Sequence, residues 1–220
     1  GLVLAVAPEL MSVELSRQVT ASMLYFQNWE LMAQNADYAA ASQETSPLQH
    51  LWSMSVQGQF YVFGILLGWV VAVTVVKLRA KPEHARRAAI ALLAVITVVS
   101  FAWASRFGLE GTGENYYSTF SRAWELSLGA LLAFVPANRF LPQTTAWLTA
   151  LLGVVLIAIT GFIVPTSLAF PGPVALIPLT GAALVILSGN ANGVSKVLAS
   201  APMTWLGSVA YSLYLWHWPL

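Results

Sequence analysis

The chain has no cysteine, and charged residues make up only 9% of its 220 residues. The absence of cysteine excludes a disulfide framework, a cysteine-ligated zinc site and a cysteine nucleophile. Soluble domains carry about 25% charged residues, so the scarcity of charge excludes an ordinary soluble domain. The net charge is only +1, with no basic stripe, and we therefore expect no nucleic-acid partner.

The sequence is instead rich in apolar residues, at 58%, and it contains nine tryptophans. A helix that crosses a bilayer needs about 17–25 mostly apolar residues. Segments of this kind predict an all-α fold, a polytopic transmembrane helix bundle in the lipid bilayer. The candidate spans are 51–76, 88–105, 118–135, 144–164, 173–188 and 203–220, with a weaker, short or interfacial segment at 17–33.

Both ends of the sequence have the composition of apolar segments. Residues 1–7 resemble the end of a preceding transmembrane helix, and the last residues lie inside the span predicted at 203–220. We therefore expect residues 1–220 to be part of one membrane domain that continues beyond both ends.

Basic residues predict the orientation of the bundle. The connection 77–87 holds five of the ten Lys and Arg residues, and the positive-inside rule places such a connection in the cytoplasm. Strict alternation then puts 34–50, 106–117 and 165–172 on the outer side.

The entrance of the first predicted span is unusually polar. Its polar residues have the spacing i, i+3, i+7 and i+11, which places them on one helical stripe: His50, Ser53, Gln57 and Tyr61. Such groups are costly at membrane depth unless they face protein or a water-filled cavity. Two interpretations stay open. The groups satisfy one another and the outer loop, or His50 and Gln57 line a cavity in which the histidine acts as a general base.

Arg122 and Glu125 lie inside the predicted span 118–135, one to two turns from its outer end. At spacing i, i+3 they share a helical face. An intramembrane charge indicates function by default, with Arg122 holding an anionic or polar substrate group and Glu125 acting as acid, base or orienting group. The alternative is an internal ion pair that holds the bundle together.

The last predicted span contains an aromatic block with a single histidine. Tyr214 and His217 lie on one helical face, with Tyr211 beside them. A histidine in such a block is either a structural residue or a substrate-binding one. The sequence has no glycine-rich phosphate loop, no His-x-x-x-His pair and no Gly-x-Ser-x-Gly elbow, and we predict no metal site.

Three blocks of the sequence are similar to three signatures of one family. Ser-Pro-Leu-Gln-His-Leu-Trp-Ser-Met-Ser-Val-Gln-Gly-Gln-Phe-Tyr (46–61) resembles Leu-x-His-x-Trp-Ser-Leu-Ser-Val-Glu-Glu-Gln-Phe-Tyr. Tyr-Ser-Thr-Phe-Ser-Arg-Ala-Trp-Glu-Leu (117–126) resembles a Thr-Arg-Ala-Trp-Glu-Leu helix, and 206–220 resembles a Tyr-Ser-Leu-Tyr-Leu-Trp-His-Trp-Pro segment. The family is the type 3 membrane acyltransferases, which O-acylate bacterial cell-envelope polysaccharides, and the resemblance spans roughly residues 17–220.

The resemblance implies a cytoplasmic acyl-CoA donor, used as a substrate with no bound cofactor, and an acceptor sugar on the outer side. It also implies a first helix with an Arg and a His that this sequence does not contain, so the chain by itself is expected to be inactive. A C-terminal SGNH-type domain follows in many relatives. The family's Glu-Glu pair is Gln57-Gly58 here. Because Gln keeps hydrogen bonding but cannot ionise, we expect binding rather than acid–base chemistry at position 57.

The patterns predict a multi-pass membrane protein with a polar site, and the resemblance implies that it is an acyltransferase of the bacterial inner membrane. It would move an acyl group, most simply acetyl, from acyl-CoA to a hydroxyl of an envelope glycan. The rival is a transporter or flippase of a polar lipid-linked substrate, which intramembrane charges suit equally well; a structural subunit without a site is a third reading. The predicted catalytic residues are His50 and Glu125, and the predicted substrate-binding residues are Gln57, Tyr61, Arg122 and His217.

Overall fold

The computed structural model describes residues 13–34, 48–79, 81–109, 112–135, 142–164, 170–189 and 193–217. Within these ranges all regular structure is helical, which confirms the predicted all-α class. The α-helices are α1 (Val13–Met23), α2 (Gln27–Ala33), α3 (Trp52–Leu78), α4 (Pro82–Ala104), α5 (Gly113–Tyr117), α6 (Thr119–Leu132), α7 (Gln143–Ile163), α8 (Leu176–Leu187), α9 (Gly193–Leu198) and α10 (Ala201–Trp216). Short 3-10 turns adjoin three of them, at Gln49–Leu51, Ser105–Phe107 and Pro173–Ala175.

Three of these helices are long and apolar enough to cross a membrane. They are α3 with its preceding turn (Gln49–Leu78), α4 with its following turn (Pro82–Phe107), and α7 over Gln143–Phe162. By contrast, α6 has 14 residues, a length of about 21 Å, which is less than the hydrocarbon thickness of about 30 Å. Helices α6, α8 and α10 occupy the other predicted spans, and whether they cross the membrane stays a prediction.

The weaker segment at 17–33 is two helices rather than one. The chain between α1 and α2 turns at Tyr25, whose φ of 60° lies in the left-handed region and ends the helix. The Gln59 side chain of α3 donates from Nε2 to the Tyr25 carbonyl oxygen at 2.7 Å. A contact with a distant helix thus fixes a break that the local apolar pattern does not indicate.

Local sequence explains where several helices begin. Pro82 opens α4, a position at which its missing N–H is not needed. The Thr112 side chain accepts a hydrogen bond from the Asn115 N–H at 3.2 Å and caps α5. In the same way, Ser118 accepts from the Ser121 N–H at 3.3 Å and caps α6.

Helices α4 and α6 pack along each other through hydroxyl groups. Ser100 Oγ donates to the Phe120 carbonyl oxygen at 2.5 Å and accepts from the Trp124 backbone N–H at 2.9 Å. The hydroxyls of Thr97 and Ser127 are 2.8 Å apart. Interhelical hydrogen bonds of this kind hold helices together in lipid, because lipid tails are as apolar as the side chains and the hydrophobic effect does not drive helices together there.

Helices α7 and α8 approach each other closely at two glycines. A Cβ on Gly153 would lie 2.6 Å from the Gly181 carbonyl oxygen, and a Cβ on Gly181 would lie 2.7 Å from that of Gly153. The contact therefore requires glycine on both sides. The two helix pairs are joined where Trp124 of α6 donates from Nε1 to the Pro171 carbonyl oxygen at 2.9 Å.

Contacts also group the helix ends that the predicted alternation assigns to one side. Arg86 at the start of α4 donates to the Phe134 carbonyl oxygen just beyond α6, at 2.8 Å. At the opposite ends, the turn before α3 meets the end of α10 through the rings of His50 and His217, whose centroids are 5.5 Å apart. The grouping agrees with the predicted topology, and the orientation in the membrane stays a prediction.

Candidate functional site

The 3-10 turn Gln49–Leu51 directs two polar side chains into the bundle before α3 begins. Gln49 and His50 are both buried. Gln49 donates from Nε2 to the Tyr117 hydroxyl oxygen at 2.8 Å, which ties this turn to the junction of α5 and α6. The turn therefore fixes where His50 sits relative to the second signature block.

His50 belongs to a cluster with Tyr214 and His217 of the last block. The His50 ring lies edge-on to the Tyr214 ring at 5.2 Å and to the His217 ring at 5.5 Å. The Tyr214 hydroxyl donates to the His50 carbonyl oxygen at 2.5 Å. Because a phenol has one proton, the 2.8 Å contact between the Ser53 and Tyr214 hydroxyls must have Ser53 as the donor.

The tautomer of His217 follows from its own hydrogen bond. Its Nδ1 lies 2.7 Å from the Tyr214 carbonyl oxygen, and a carbonyl can only accept. Nδ1 therefore carries the proton, and in neutral His217 the basic lone pair is on Nε2. His217 is exposed, so the cluster reaches the protein surface through this residue.

Arg122 and Glu125 form an ion pair on α6. Arg122 Nη1 lies 3.3 Å from Glu125 Oε2 and 3.4 Å from Oε1, and its Nε donates to the Tyr116 carbonyl oxygen at 3.1 Å. The guanidinium carbon lies 5.0 Å from the Trp52 ring centroid and 4.7 Å from that of Tyr116. The Arg122 cation is therefore held in one place by a carboxylate, a carbonyl and two aromatic faces.

The ion pair and the histidine cluster adjoin each other through the first block. Trp52, which faces Arg122, lies two residues after His50 in the chain. The side chains of Arg122 and Glu125 are only 13% and 19% exposed. The structure thus places four of the six predicted site residues around the N-terminal end of α3.

Gln57 and Tyr61 lie further along α3, one and two turns after Ser53. Gln57 donates from Nε2 to the Tyr61 hydroxyl oxygen at 2.6 Å, and both side chains are exposed. They line a cavity of about 860 Å³ together with Tyr25, Gly58 and Tyr211. His50 is not among the residues that line this cavity, although it and Gln57 fall on one stripe of an ideal α-helix.

The cavity begins one helical turn from the histidine cluster. Gln57 follows Ser53 on α3 at i+4, and Tyr211 precedes Tyr214 on α10 by three residues. Both Gln57 and Tyr211 line the cavity, whereas Ser53 and Tyr214 bond to each other in the cluster. A substrate in the cavity would therefore approach the cluster along two neighbouring helices.

Sequence reasoning missed the polar network that holds α2 and α3 together. Gln59 Nε2 donates to Asn28 Oδ1 at 2.9 Å, and its Oε1 accepts from the Thr119 hydroxyl at 2.6 Å. Asn28 Nδ2 in turn donates to the Tyr117 carbonyl oxygen at 3.1 Å. These bonds use the donors and acceptors of Gln59 within the fold, so this residue is structural. Its spacing in the sequence gave no signal that distinguishes it from Gln57.

A second missed network closes the end of α4. Arg106 Nη1 donates to Asn115 Oδ1 at 2.9 Å, and Asn115 Nδ2 donates to the Ala104 carbonyl oxygen at 2.9 Å. Asn115 Oδ1 also accepts from the Ser121 hydroxyl at 2.7 Å. The network fixes the segment that leads into α6 and so positions Arg122. Within the part of the chain that the structure describes, three or more His, Asp or Glu side chains are nowhere grouped as metal ligands.

A family model described as an acyltransferase domain matches residues 18–220. The chain belongs to this acyltransferase family. The match confirms the resemblance to the type 3 membrane acyltransferases that the three sequence blocks indicate. In the structure, two of those blocks supply the histidine cluster and the other supplies the ion pair beside it.

Two relatives of the chain are O-acetyltransferases. The peptidoglycan O-acetyltransferase OatA of Listeria monocytogenes is 29% identical over 230 residues, covering 97% of this chain and 35% of the relative. The O-acetyltransferase OatA of Staphylococcus aureus is 28% identical over 228 residues, covering 97% of this chain and 36% of the relative. The chain thus spans about a third of the length of these acyltransferase relatives. No solved structure matches the chain.

Proposed function

We propose that the chain is part of a multi-pass O-acyltransferase of the bacterial inner membrane. The protein would move an acyl group, most simply acetyl, from acyl-CoA to a hydroxyl of a cell-envelope glycan. The observation that carries the proposal is that the three signature blocks meet at the N-terminal end of α3, where His50 contacts His217 and Trp52 contacts Arg122. Family membership and the peptidoglycan O-acetyltransferase among the relatives support the same reaction.

In this reaction the acceptor hydroxyl oxygen attacks the thioester carbonyl carbon. A carbon–oxygen bond forms, the carbon–sulfur bond breaks, and the CoA sulfur leaves with the electron pair. The hydroxyl proton passes through a base to the leaving thiolate. A fixed cation such as Arg122 is suited to stabilise the negative charge that develops on the carbonyl oxygen. In the proposal His50 and Glu125 carry out proton transfer, and the binding residues are Gln57, Tyr61, Arg122 and His217.

The predicted topology adds one requirement. Acyl-CoA is a cytoplasmic donor, whereas the clustered residues lie at helix ends that the basic residues predict to be outside. The thioester end of acyl-CoA must therefore reach from the cytoplasmic side into the bundle, as far as the acceptor hydroxyl that attacks it.

The test uses the full-length protein in membranes and acetyl-CoA labelled in its acetyl group. We expect label to appear on the glycan as an alkali-labile ester. A transporter or flippase would move its substrate but leave the glycan unlabelled, and that result would reject the proposal.

Variants of the ion pair connect the reaction to the site. A hydrogen bond to a charged group contributes about 1.5–3 kcal/mol, so we expect Arg122→Ala to lower transfer about ten- to a hundredfold. Arg87→Ala is the matched control, since it removes an exposed arginine near the start of α4. Wild-type transfer by Arg122→Ala and Glu125→Ala would show that the site assignment is wrong even if the protein is an acyltransferase.

A further inference from the structure

Tyr25 has a backbone conformation that few residues other than glycine adopt. Its φ is 60°, in a region where a non-glycine residue is held at a cost and where such strain often marks a functional position. The Gln59 side chain holds the Tyr25 carbonyl oxygen. As a result the Tyr25 ring is directed onto the surface of α3 and remains 47% exposed.

The Tyr25 ring occupies space that only a glycine at position 58 leaves open. A Cβ on Gly58 would lie 2.2 Å from Tyr25 Cδ1 and 2.6 Å from Cε1. Gly64 and Gly68, on the same helix, have no such neighbour within 4 Å. In the signature that this segment resembles, the residue at position 58 is a glutamate, which could not coexist with the Tyr25 ring in this position.

Tyr25 and Gly58 both form part of the wall of the cavity that holds Gln57 and Tyr61. The cavity volume of about 860 Å³ is in the range of small-molecule sites. Among the described residues that line it, none carries a charge: six are apolar or glycine, four offer an amide or a tyrosine hydroxyl, and the amide of Gln59 is already bonded within the fold. Phosphate groups of CoA are recognised by cations, so this lining fits the hydroxyls of a neutral sugar better than it fits the donor.

We propose that Tyr25 and Gly58 form a matched pair that sets the width of this cavity and so determines which neutral sugar unit of the glycan acceptor is admitted. The inference rests on the proposed acyl transfer and names the acceptor side of it. The pair acts by shape: the glycine gives the ring its place, and the ring forms the wall against which the sugar packs.

The test measures acetyl transfer by the full-length protein in membranes, with soluble oligosaccharides of the envelope glycan as acceptors. Gly58→Ala is compared with Gly64→Ala, which adds the same methyl group to the same helix where nothing lies within 4 Å. Because the Tyr25 ring is half-exposed, it can swing away from the new methyl group, so Gly58→Ala is expected to fold. One methyl group in a binding pocket alters discrimination about tenfold or more. We therefore expect the acceptor KM to rise about tenfold in Gly58→Ala, with the acetyl-CoA KM unchanged.

A second variant, Tyr25→Ala, tests the aromatic member of the pair without changing the glycine. Tyr25→Ala removes the ring without altering α3 and is also expected to raise the acceptor KM. In the Tyr25→Ala background, Gly58→Ala should have little further effect, since the three atoms nearest to the new methyl group all belong to the Tyr25 ring.

The outcomes separate the two proposals. If the wild-type protein transfers no label, the proposed function fails. If it does transfer label, either of two results overturns the inference: an equal acceptor KM in Gly58→Ala and Gly64→Ala, or an unchanged acceptor KM in Tyr25→Ala.

Discussion

The ion pair of Arg122 and Glu125 allows its structural and chemical contributions to be separated. Removing one partner of a buried pair costs about 3–5 kcal/mol, because it leaves an uncompensated charge. In Glu125→Ala, Arg122 still has the Tyr116 carbonyl oxygen and two aromatic faces. We therefore expect a cost near the lower value, about 3 kcal/mol. In Arg122→Ala the Glu125 carboxylate loses both of its hydrogen bonds to the guanidinium, and we expect a loss of about 5 kcal/mol of stability.

Thermal unfolding of the purified full-length protein in detergent measures these costs. In a domain of about 150–250 residues, 1 kcal/mol corresponds to a shift in Tm of about 2–4 °C, and the shift is smaller in a larger protein. For the full-length protein Glu125→Ala should therefore lower Tm by at most about 6–12 °C and Arg122→Ala by at most about 10–20 °C, with the larger fall in Arg122→Ala. The double variant should be more stable than the sum of the two single effects predicts, because it leaves neither charge unpaired.

The conservative variant Glu125→Gln separates stability from catalysis. Glutamine keeps an acceptor oxygen for Arg122 but cannot carry a proton between groups. We expect Tm to fall by less than in Glu125→Ala, while acetyl transfer is lost. Additive losses of Tm in the double variant would refute the ion-pair reasoning. Full transfer by Glu125→Gln would refute a role for this carboxyl group in proton transfer.

Two further changes test the packing around the site. In Tyr214→Phe the His50 carbonyl oxygen loses the hydrogen bond from the tyrosine hydroxyl, and the Ser53 hydroxyl loses its acceptor. A hydrogen bond contributes about 0.5–1.5 kcal/mol, so differential scanning fluorimetry should detect a lower Tm, and an unchanged Tm would contradict the bond. In Gly153→Ala the new methyl group would clash with the Gly181 carbonyl oxygen, and we expect the clash to destabilise the fold by about 1–3 kcal/mol. Gly161→Ala is the control, since a Cβ there has no neighbour within 4 Å, and its Tm should not change. An equal Tm in the two glycine variants would contradict the close approach of α7 and α8.

The helices could be predicted from the sequence because apolar runs of sufficient length leave the backbone few alternatives in a bilayer. The break at Tyr25 could not, since it depends on Gln59, which lies 34 residues away in the chain. Local sequence does not encode such a partner. The length of α6 could not be predicted either. Its start is marked by the Ser118 cap, but its end has no equally clear sequence signal.

The site residues were predicted by type, but only partly by arrangement. The stripe through His50 and Gln57 assumes an α-helix throughout, with 3.6 residues per turn. His50 lies instead in a 3-10 turn, which has 3.0 residues per turn, and its side chain is buried, whereas that of Gln57 is exposed. The histidine faces α10 and the glutamine faces the cavity. One predicted stripe is therefore two adjacent sites, the cluster around the buried His50 and the cavity lined by Gln57.

Glutamine at position 57, where the family signature has glutamate, changes the direction of a hydrogen bond in the cavity. The Gln57 amide donates from Nε2 to the Tyr61 oxygen, so the hydroxyl proton of Tyr61 is left to donate elsewhere. An ionised glutamate at position 57, as in the family signature, has no hydrogen to give, and a bond of the same length would need Tyr61 as the donor. With glutamine at position 57, the Tyr61 hydroxyl can therefore donate a hydrogen bond into the cavity instead of to residue 57. With Gly58 beside it, the pair of departures replaces two acidic side chains by a neutral donor and an aromatic wall, a lining suited to a sugar hydroxyl rather than to a charged group.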